Sequence, residues 1–200
     1  MMPSKRYDII LYGGPGSGKS TQAELLATSL NGVAIHVGKR LRALSKEDNP
    51  VGKKIAKAID KGNLIPHSQM KALAKQWIAE IPTSKPIILD GATRDPGEAI
   101  WMDKVLKGAG RQAVAVYLKL PISVAKARLI QRAKKDNRKD DLDPVAIANR
   151  VNLFKTESKT ILGYYKDQNR LITIDGKLTI NQIHKAILKK LDQWHLAQTK

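Results

Sequence analysis

A glycine-rich segment of eight residues, Gly13 to Ser20, constrains this chain more than any other feature of its sequence. It reads GGPGSGKS and satisfies the pattern G-x-x-x-x-G-K-S/T. The apolar run Tyr7 to Tyr12 before it is typical of a short buried strand, and Lys19 to Leu30 carries apolar residues at helical spacing. The sequence therefore predicts a strand, a glycine loop and a helix in immediate succession.

This kind of loop binds phosphate for physical reasons. Glycines allow backbone N–H groups to turn inward around phosphate oxygens, and the helix N-terminus adds a partial positive charge. In this pattern the lysine, here Lys19, reaches the β and γ phosphates, and the hydroxyl of Ser20 suits Mg²⁺. We therefore expect ATP or GTP binding, although the loop does not choose the reaction.

Further strand-like runs alternate with helical stretches along the rest of the chain. These runs are Val33 to Val37, Pro86 to Leu89, Ala113 to Leu120 and Leu171 to Ile174. Such alternation favours a parallel sheet with helices on both faces. We expect an α/β fold, a P-loop NTPase three-layer sandwich with a central five-stranded parallel sheet, formed by residues 1–200 as a single domain.

Two stretches depart from this simple alternation. The helical region from Lys39 to Glu80 is longer than a crossover needs and is broken at Asn49-Pro50 and at Gly62 to Pro66. It predicts an inserted substrate-binding lobe at about residues 37–66. The polar run Lys134 to Asp143 is typical either of a solvated loop or of a mobile lid, which would span about residues 133–143.

The charge balance indicates the class of ligand. The chain has 36 Lys and Arg residues against 18 Asp and Glu, a formal net charge of +18. The resulting field attracts anions such as nucleotides, nucleic acids and acidic surfaces. No apolar run is long enough for a spanning helix, and the absence of cysteine excludes disulfides and cysteine-based zinc or iron–sulfur sites. A cytoplasmic location without membrane partners is the expectation.

One acid and several arginines are candidates for the chemistry. Asp90 ends an apolar strand, so it is expected at the same sheet edge as the glycine loop, where with Ser20 it can hold Mg²⁺, partly through water. Arg128 and Arg132 lie four residues apart and share a helix face, whereas Arg138 and Arg150 flank the polar run. Such spaced charges are usually solvated, yet phosphoryl transfer needs several cations around the migrating group.

The sequence resembles those of the adenylate kinases and related nucleoside monophosphate kinases. The similarity extends from about Tyr7 to Ile187 and rests on several motifs in order. Those motifs are GGPGSGKST (13–21), VGKRLRA (37–43), GNLIP (62–66), LDGATRD (89–95), LPISVAKARLIQR (120–132), RKDD (138–141), ANRVNLF (148–154), GYY (163–165) and IDGKLTI (174–180). The short span between Arg132 and Arg138 is similar to that of the short-lid members, which lack a zinc knuckle.

The resemblance implies an Mg²⁺-dependent monomeric enzyme that transfers the γ-phosphoryl group of ATP to a nucleoside monophosphate, most simply AMP. It implies catalytic roles for Lys19, Arg94, Arg132, Arg138 and Arg150. It implies that ATP contacts Gly14, Gly16, Ser17, Gly18, Lys19, Ser20, Thr21, Arg128, Arg132 and Leu178, with its base beside Arg128 and Leu178. It implies that AMP contacts Val37, Arg42, Asn63, Leu64, Ile65, Gly91, Arg94, Glu98, Arg138 and Arg150.

Two departures from the family pattern affect recognition of the acceptor base. Val37 replaces a threonine and removes a hydroxyl. Glu98 replaces the base-reading glutamine, and a carboxylate can only accept hydrogen bonds, so adenine is no longer dictated by that residue. Glu98 is interpreted either as a base reader or as an exposed glutamate at a helix start that does not touch the base.

A third departure concerns Arg150. The span from Arg138 to Arg150 is one residue longer than the family pattern, so Asn149 is a candidate for the position expected of an arginine. Adjacent residues on a helix point about 100° apart, so only one of the two can face the site directly. The four histidines show no paired spacing with carboxylates and are predicted to be satisfied or solvent-facing rather than metal ligands.

Three hypotheses follow from the sequence. The first is an adenylate kinase that converts ATP and AMP to two ADP. The second keeps the kinase but changes the acceptor to GMP, CMP, UMP or a small alcohol. The third is a nucleotide-regulated protein that binds nucleic acid, suggested by the net charge of +18 but supported by no recognised RNA or DNA motif, so no specific nucleic-acid partner is expected.

Overall fold

The computed structural model describes residues 7–61, 63–125, 127–129 and 143–198. Its strands are β1 (Asp8–Tyr12), β2 (Val33–His36), β3 (Ile87–Asp90), β4 (Ala113–Lys119) and β5 (Leu171–Asp175). Its helices with defined bounds are α1 (Lys19–Ser29), α2 (Val37–Leu44), α3 (Pro50–Asp60), α4 (His67–Ala79), α5 (Pro96–Gly108), α6 (Pro144–Lys166) and α7 (Ile180–Gln198). Helical residues 122–125 and 127–129 follow β4.

The strands form one parallel sheet in the order β2-β3-β1-β4-β5. From β1 the chain passes to the edge strand β2, returns to β3 between these two, and then crosses to β4 and β5 on the other side of β1. The glycine loop therefore follows the central strand, at the place where the strand order changes direction and ligands bind in open α/β sheets. This confirms the predicted five-stranded sandwich.

Alternation along β1 explains how both faces of the sheet are covered. Ile10 and Tyr12 belong to a core that includes side chains of α2 to α6, whereas Ile9 and Leu11 belong to a core with α1 and α7. A strand buried on both faces needs apolar residues at every position, which is the pattern that the sequence shows. Helices thus cover both faces and complete three layers.

The strand predictions are confirmed to within about one residue at each end. Two of these one-residue differences matter for the site: Val37 begins α2 instead of ending β2, and Asp90 is the last residue of β3. The helical region from Lys39 to Glu80 is divided among α2, α3 and α4. The first predicted break, at Asn49-Pro50, lies between α2 and α3. The Asn49 side chain accepts a hydrogen bond from Gly52 N–H and so caps the start of α3.

Candidate functional site

The glycine loop connects β1 to α1 and is shaped by backbone conformations that favour glycine. Gly18, which precedes the first residue of α1, has a φ of 92°, and Gly16 has a φ of 78°. A Cβ atom on Gly16 would approach the carbonyl oxygen of Ala125 to 2.7 Å. The residues after β4 therefore pack directly against the loop and leave no room for a side chain there.

Lys19 lies across this loop. Its Nζ donates to the carbonyl oxygens of Gly13 at 2.7 Å and Gly14 at 3.0 Å, and it is 3.4 Å from Ser17 Oγ. Its charge also acts on Asp90 at the end of β3. The ammonium group is thus positioned between the loop and the carboxyl end of the neighbouring strand.

Ser20, Asp90, His36 and Glu24 form a continuous polar network beside the loop. Ser20 Oγ donates to Asp90 Oδ2 at 2.6 Å. The same carboxylate oxygen lies 2.9 Å from His36 Nδ1, and His36 Nε2 lies 2.8 Å from Glu24 Oε1. Because both ring nitrogens face carboxylate oxygens, the arrangement suits a doubly protonated imidazolium that donates in both directions.

The charges in this network stabilise each other. Burial opposes the charged form of Asp90, but the hydrogen bond from His36, the charge of Lys19 and the Ser20 hydroxyl outweigh it and hold the pKa of Asp90 below its ordinary value. The hydrogen bond to Asp90 raises the pKa of His36, although partial burial opposes this, and Glu24 acts in the same direction. Asp90 is therefore a carboxylate at neutral pH, as a magnesium ligand must be.

A cavity of about 870 Å³ opens above the loop. Its volume falls within the range of nucleotide-sized ligand sites. The residues predicted from the sequence to bind ATP or Mg²⁺ that line it are Gly16, Ser17, Gly18, Lys19, Ser20, Thr21, Asp90, Arg128 and Leu178. Gly14 is not among the lining residues and lies against the Phe154 ring, where an added Cβ would come within 3.3 Å.

A second, smaller cavity of about 60 Å³ lies beside the first. The predicted acceptor residues that line it are Val37, Arg42, Asn63, Leu64, Ile65, Gly91, Arg94, Glu98 and Arg150. Of these, Gly91 and the three arginines also line the larger cavity. The structure therefore brings together three cations at the junction of the two cavities, one from α2, one from the loop between β3 and α5, and one from α6.

Glu98 is buried, with 4% of its surface exposed. Its Oε2 accepts a hydrogen bond from Arg94 N–H at 2.7 Å, and its own N–H donates to Asp95 Oδ1 at 2.9 Å. Burial raises the pKa of Glu98, although the Arg94 N–H and guanidinium partly oppose the shift. The interpretation as an exposed helix-start glutamate is therefore wrong about exposure: Glu98 supports the first turn of α5 and also lines the smaller cavity.

The structure separates the roles of Asn149 and Arg150. Arg150 lines both cavities, and its Nε donates to Ala146 O at 3.3 Å. Asn149 points elsewhere, since its Nδ2 donates to Lys61 O at 2.9 Å and so ties α6 to the end of α3. Arg150 is the residue of this pair that faces the site.

The remaining predicted residues divide into described and undescribed ones. Arg128 donates from Nη1 to the carbonyl oxygen of Gly176 at 3.1 Å, and Arg128 and Leu178 both line the larger cavity. Arg132 and Arg138 lie outside the described residues, as does the predicted lid at about 133–143 apart from Asp143.

Sequence reasoning missed several residues of the site. His36 was not predicted to contact Asp90, although its position at the end of β2 was a usable signal, because carboxyl ends of parallel strands share one sheet edge. Phe154 lines the larger cavity from α6 and carries no such signal. The packing also brings ligand-type atoms of His67, Asp95 and Glu98 within 4.8 Å of one another, a grouping that their spacing does not reveal.

Comparison with known proteins agrees with this geometry. The family model for adenylate kinase matches residues 11–170. The chain is 32% identical over 186 residues to an adenylate kinase of Flavobacterium johnsoniae, covering 92% of this chain and 98% of the relative. It is also 32% identical to an adenylate kinase of a Cyanothece species, covering 92% and 95%. A third relative, adenylate kinase 1 of a Nostoc species, is 32% identical over 84% of this chain and 89% of its own length.

Proposed function

Since the chain belongs to the adenylate kinase family and is therefore a phosphotransferase, we propose that it transfers the γ-phosphoryl group of ATP to AMP and forms two ADP. The observation that carries this proposal is the pair of joined cavities. The glycine loop and Lys19 lie in the larger one, and Arg42, Arg94 and Arg150 stand where the two meet. A phosphoryl group moving between two nucleotides would cross this junction.

The larger cavity is the donor site in this proposal. Backbone N–H groups of residues 16–21 and the N-terminus of α1 surround the donor phosphates, and Lys19 neutralises the β and γ phosphates. The donor base lies near Arg128 and Leu178, which both line this cavity. Arg132, outside the described residues, is assigned to the donor phosphates from the sequence resemblance alone.

Ser20 and Asp90 fit a magnesium site. A hydroxyl oxygen and a buried, ionised carboxylate oxygen only 2.6 Å apart are the hard oxygen donors that Mg²⁺ prefers. When bound there with ATP, Mg²⁺ would neutralise charge on the donor phosphates. His36 and Glu24 hold the Asp90 carboxylate in its orientation toward Ser20. No zinc is required.

The smaller cavity receives the acceptor base and the arginines receive its phosphate. An oxygen of the acceptor phosphate attacks the γ phosphorus in line, and the bond from that phosphorus to the bridging oxygen of ADP breaks. The arginines and Lys19 spread the charge of the transferring group, and no covalent enzyme intermediate forms. Arg138, like Arg132, is included from the sequence resemblance.

Water must be excluded, because otherwise ATP would be hydrolysed. We therefore assign closing movements to the acceptor lobe at about 37–66 and to the short lid at about 133–143. We further propose that the enzyme acts as a cytoplasmic monomer and has no specific nucleic-acid partner. Within the part of the chain that the structure describes, no helix has the length and apolar character needed to cross a membrane.

An acceptor panel tests the proposed function. Purified protein is mixed with ATP, Mg²⁺ and each of AMP, GMP, CMP and UMP, and diphosphate formation is followed by chromatography. We expect rapid ADP formation from AMP, lowered on the order of 10²- to 10³-fold by Lys19→Ala, because this cation stabilises the transferring group. Lys104→Ala, which removes an exposed lysine on α5, is the matched control and should leave the rate unchanged.

The panel also decides the second candidate, a kinase for another monophosphate. Glu98 favours it, because a buried carboxylate in the acceptor cavity accepts hydrogen bonds from a base rather than donating them. Faster turnover of GMP than of AMP would establish that candidate. No transfer to any of the four acceptors would contradict the proposed function.

A further inference from the structure

The smaller cavity has a cationic end and a largely apolar end. Its cationic end is shared with the larger cavity and contains Arg42, Arg94 and Arg150. The described residues that line only the smaller cavity are Val37, Leu41, Ile59, Asn63, Leu64, Ile65, Met70 and Glu98. The base of a bound monophosphate therefore meets apolar walls, one exposed amide and one buried carboxyl group.

Glu98 is fixed in this wall rather than free to turn away. Its Oε2 accepts the Arg94 N–H bond at 2.7 Å, and its backbone N–H is held by Asp95. Because only 4% of the residue is exposed, water cannot fully satisfy the carboxyl group. A base that enters the cavity must supply hydrogen bonds that match whichever protonation state the group has.

The two purine bases make opposite demands on this group. Guanine presents adjacent N–H donors at N1 and at its 2-amino group, which both suit an ionised carboxylate. Adenine presents a donor at its 6-amino group but a lone pair at N1, which repels a carboxylate oxygen. A protonated carboxyl group offers one donor and one acceptor. It can therefore donate to adenine N1 and accept from the adenine 6-amino group.

Resting on the proposed function, we propose that Glu98 selects the acceptor base through its protonation state: the protonated carboxyl binds AMP, and the ionised carboxylate favours GMP. AMP binding is then coupled to uptake of one proton, and GMP binding is not. The choice between the two acceptors consequently depends on pH. AMP is favoured as the pH falls, because the protonated fraction of Glu98 increases.

The surroundings of Glu98 bear on this titration. Burial raises its pKa, Arg94 opposes the rise through its N–H and its charge, Asp95 adds to it, and His67 opposes it. Arg42 from α2 and Arg150 from α6 bring positive charge to the same cavity. The His67 ring also lies beside Glu98, and its Nε2 is 2.6 Å from Asp95 Oδ2.

Glu98→Gln is the informative variant. The glutamine oxygen can accept the Arg94 N–H bond in place of Oε2, so the start of α5 keeps its support. Its amide group presents a donor and an acceptor at every pH, as the protonated carboxyl does. His67→Asn is the matched control, because it removes the neighbouring titratable ring and leaves Glu98 in place.

The test measures dissociation constants of AMP and of GMP by titration calorimetry between pH 5 and pH 8 in the absence of ATP. Both monophosphates share a second phosphate ionisation with a pKa of about 6, so the ratio of the two constants cancels it. In the wild-type protein and in His67→Asn, we expect the ratio of AMP to GMP constants to rise at least about tenfold across this range, since one proton is linked. In Glu98→Gln it should stay constant and favour AMP.

A flat ratio in wild-type protein that still converts AMP to ADP would overturn this inference and leave the proposed function standing. The same slope in Glu98→Gln as in the wild type would also overturn it, since another group would then be responsible. If neither AMP nor GMP binds at any pH tested, both the proposed function and this inference are overturned.

Discussion

At the scale of single residues, Asn149 and Arg150 provide a test of the site, because neighbours on one helix have different contacts. Arg150 lines both cavities, whereas Asn149 donates to Lys61 O. We expect Arg150→Ala to lower kcat/KM for AMP on the order of 10²- to 10³-fold, because a cation at the transferring group is lost. Steady-state kinetics with AMP as the varied substrate would measure the effect.

Asn149→Ala is the control for this prediction. It removes one partly exposed hydrogen bond between α6 and the end of α3, so we expect a loss of about 1 kcal/mol in the free energy of unfolding and a change in kcat/KM of less than about threefold. The reverse pattern, with the larger kinetic loss in Asn149→Ala, would show that the assignment of Arg150 is wrong.

How much of the site the sequence predicts depends on the kind of residue. Lys19 and Ser20 follow from a local pattern, since the loop, the strand and the helix are all adjacent in the chain. Glu98 and Arg150 could be located but not oriented, because burial and helix rotation depend on packing between distant segments. His36 was missed for the same reason: its partner Asp90 lies 54 residues away and on the neighbouring strand.

At the scale of elements, a buried ion pair joins the amino ends of the central strands, opposite the site. Asp8, the first residue of β1, accepts from Arg111 Nη1 at 3.0 Å and from Ile87 N–H at 2.7 Å. Arg111 also donates to the carbonyl oxygens of Ile81 and Pro82, in the segment that connects α4 to β3. This pair fixes the connection before β3 to both central strands.

Arg111→Met should therefore destabilise the fold without altering nucleotide binding. Both side chains of the pair are at most 4% exposed, so the variant leaves a buried carboxylate without its counter-charge, and we expect a loss of about 3–5 kcal/mol in the free energy of unfolding. Urea denaturation would measure it, with Lys104→Met as an exposed control that should change stability by less than about 0.5 kcal/mol. A loss below about 1 kcal/mol for Arg111→Met would contradict the prediction.

The elements themselves were easier to predict than the connections between them. Strands buried on both faces appear as continuous apolar runs, and the breaks at Asn49-Pro50 and Gly62 to Pro66 are marked by residues that interrupt helices. The sheet order and the Asp8–Arg111 pair depend on long-range packing, which local patterns do not contain. Val37 shows the limit: an apolar residue after a strand can extend it or start the next helix.

At the scale of the whole molecule, the two cavities have very different sizes. The larger, at about 870 Å³, has room for a nucleotide, but the smaller, at about 60 Å³, holds only about two water molecules by volume. Its walls come from the lobe at about 37–66 together with Met70, from the segment Gly91 to Glu98, and from Arg150 on α6. A monophosphate bound between the lobe and these other parts would contact all of them and bridge them.

Nucleotide binding should therefore change the hydrogen exchange of the acceptor lobe more than that of the sheet. We expect peptides from residues 37–66 to exchange at least about tenfold more slowly with AMP and a non-hydrolysable ATP analogue bound than without them, because the bound acceptor joins these walls and stabilises the closed state. Peptides from β1 and β4, buried in the core in either state, should change little.

Exchange measured by mass spectrometry without nucleotide, with AMP alone, with the analogue alone and with both together would separate acceptor from donor effects. Equal exchange of residues 37–66 in all four states would contradict closure, because a lobe that closes over its substrate cannot leave its own backbone amides equally accessible to solvent.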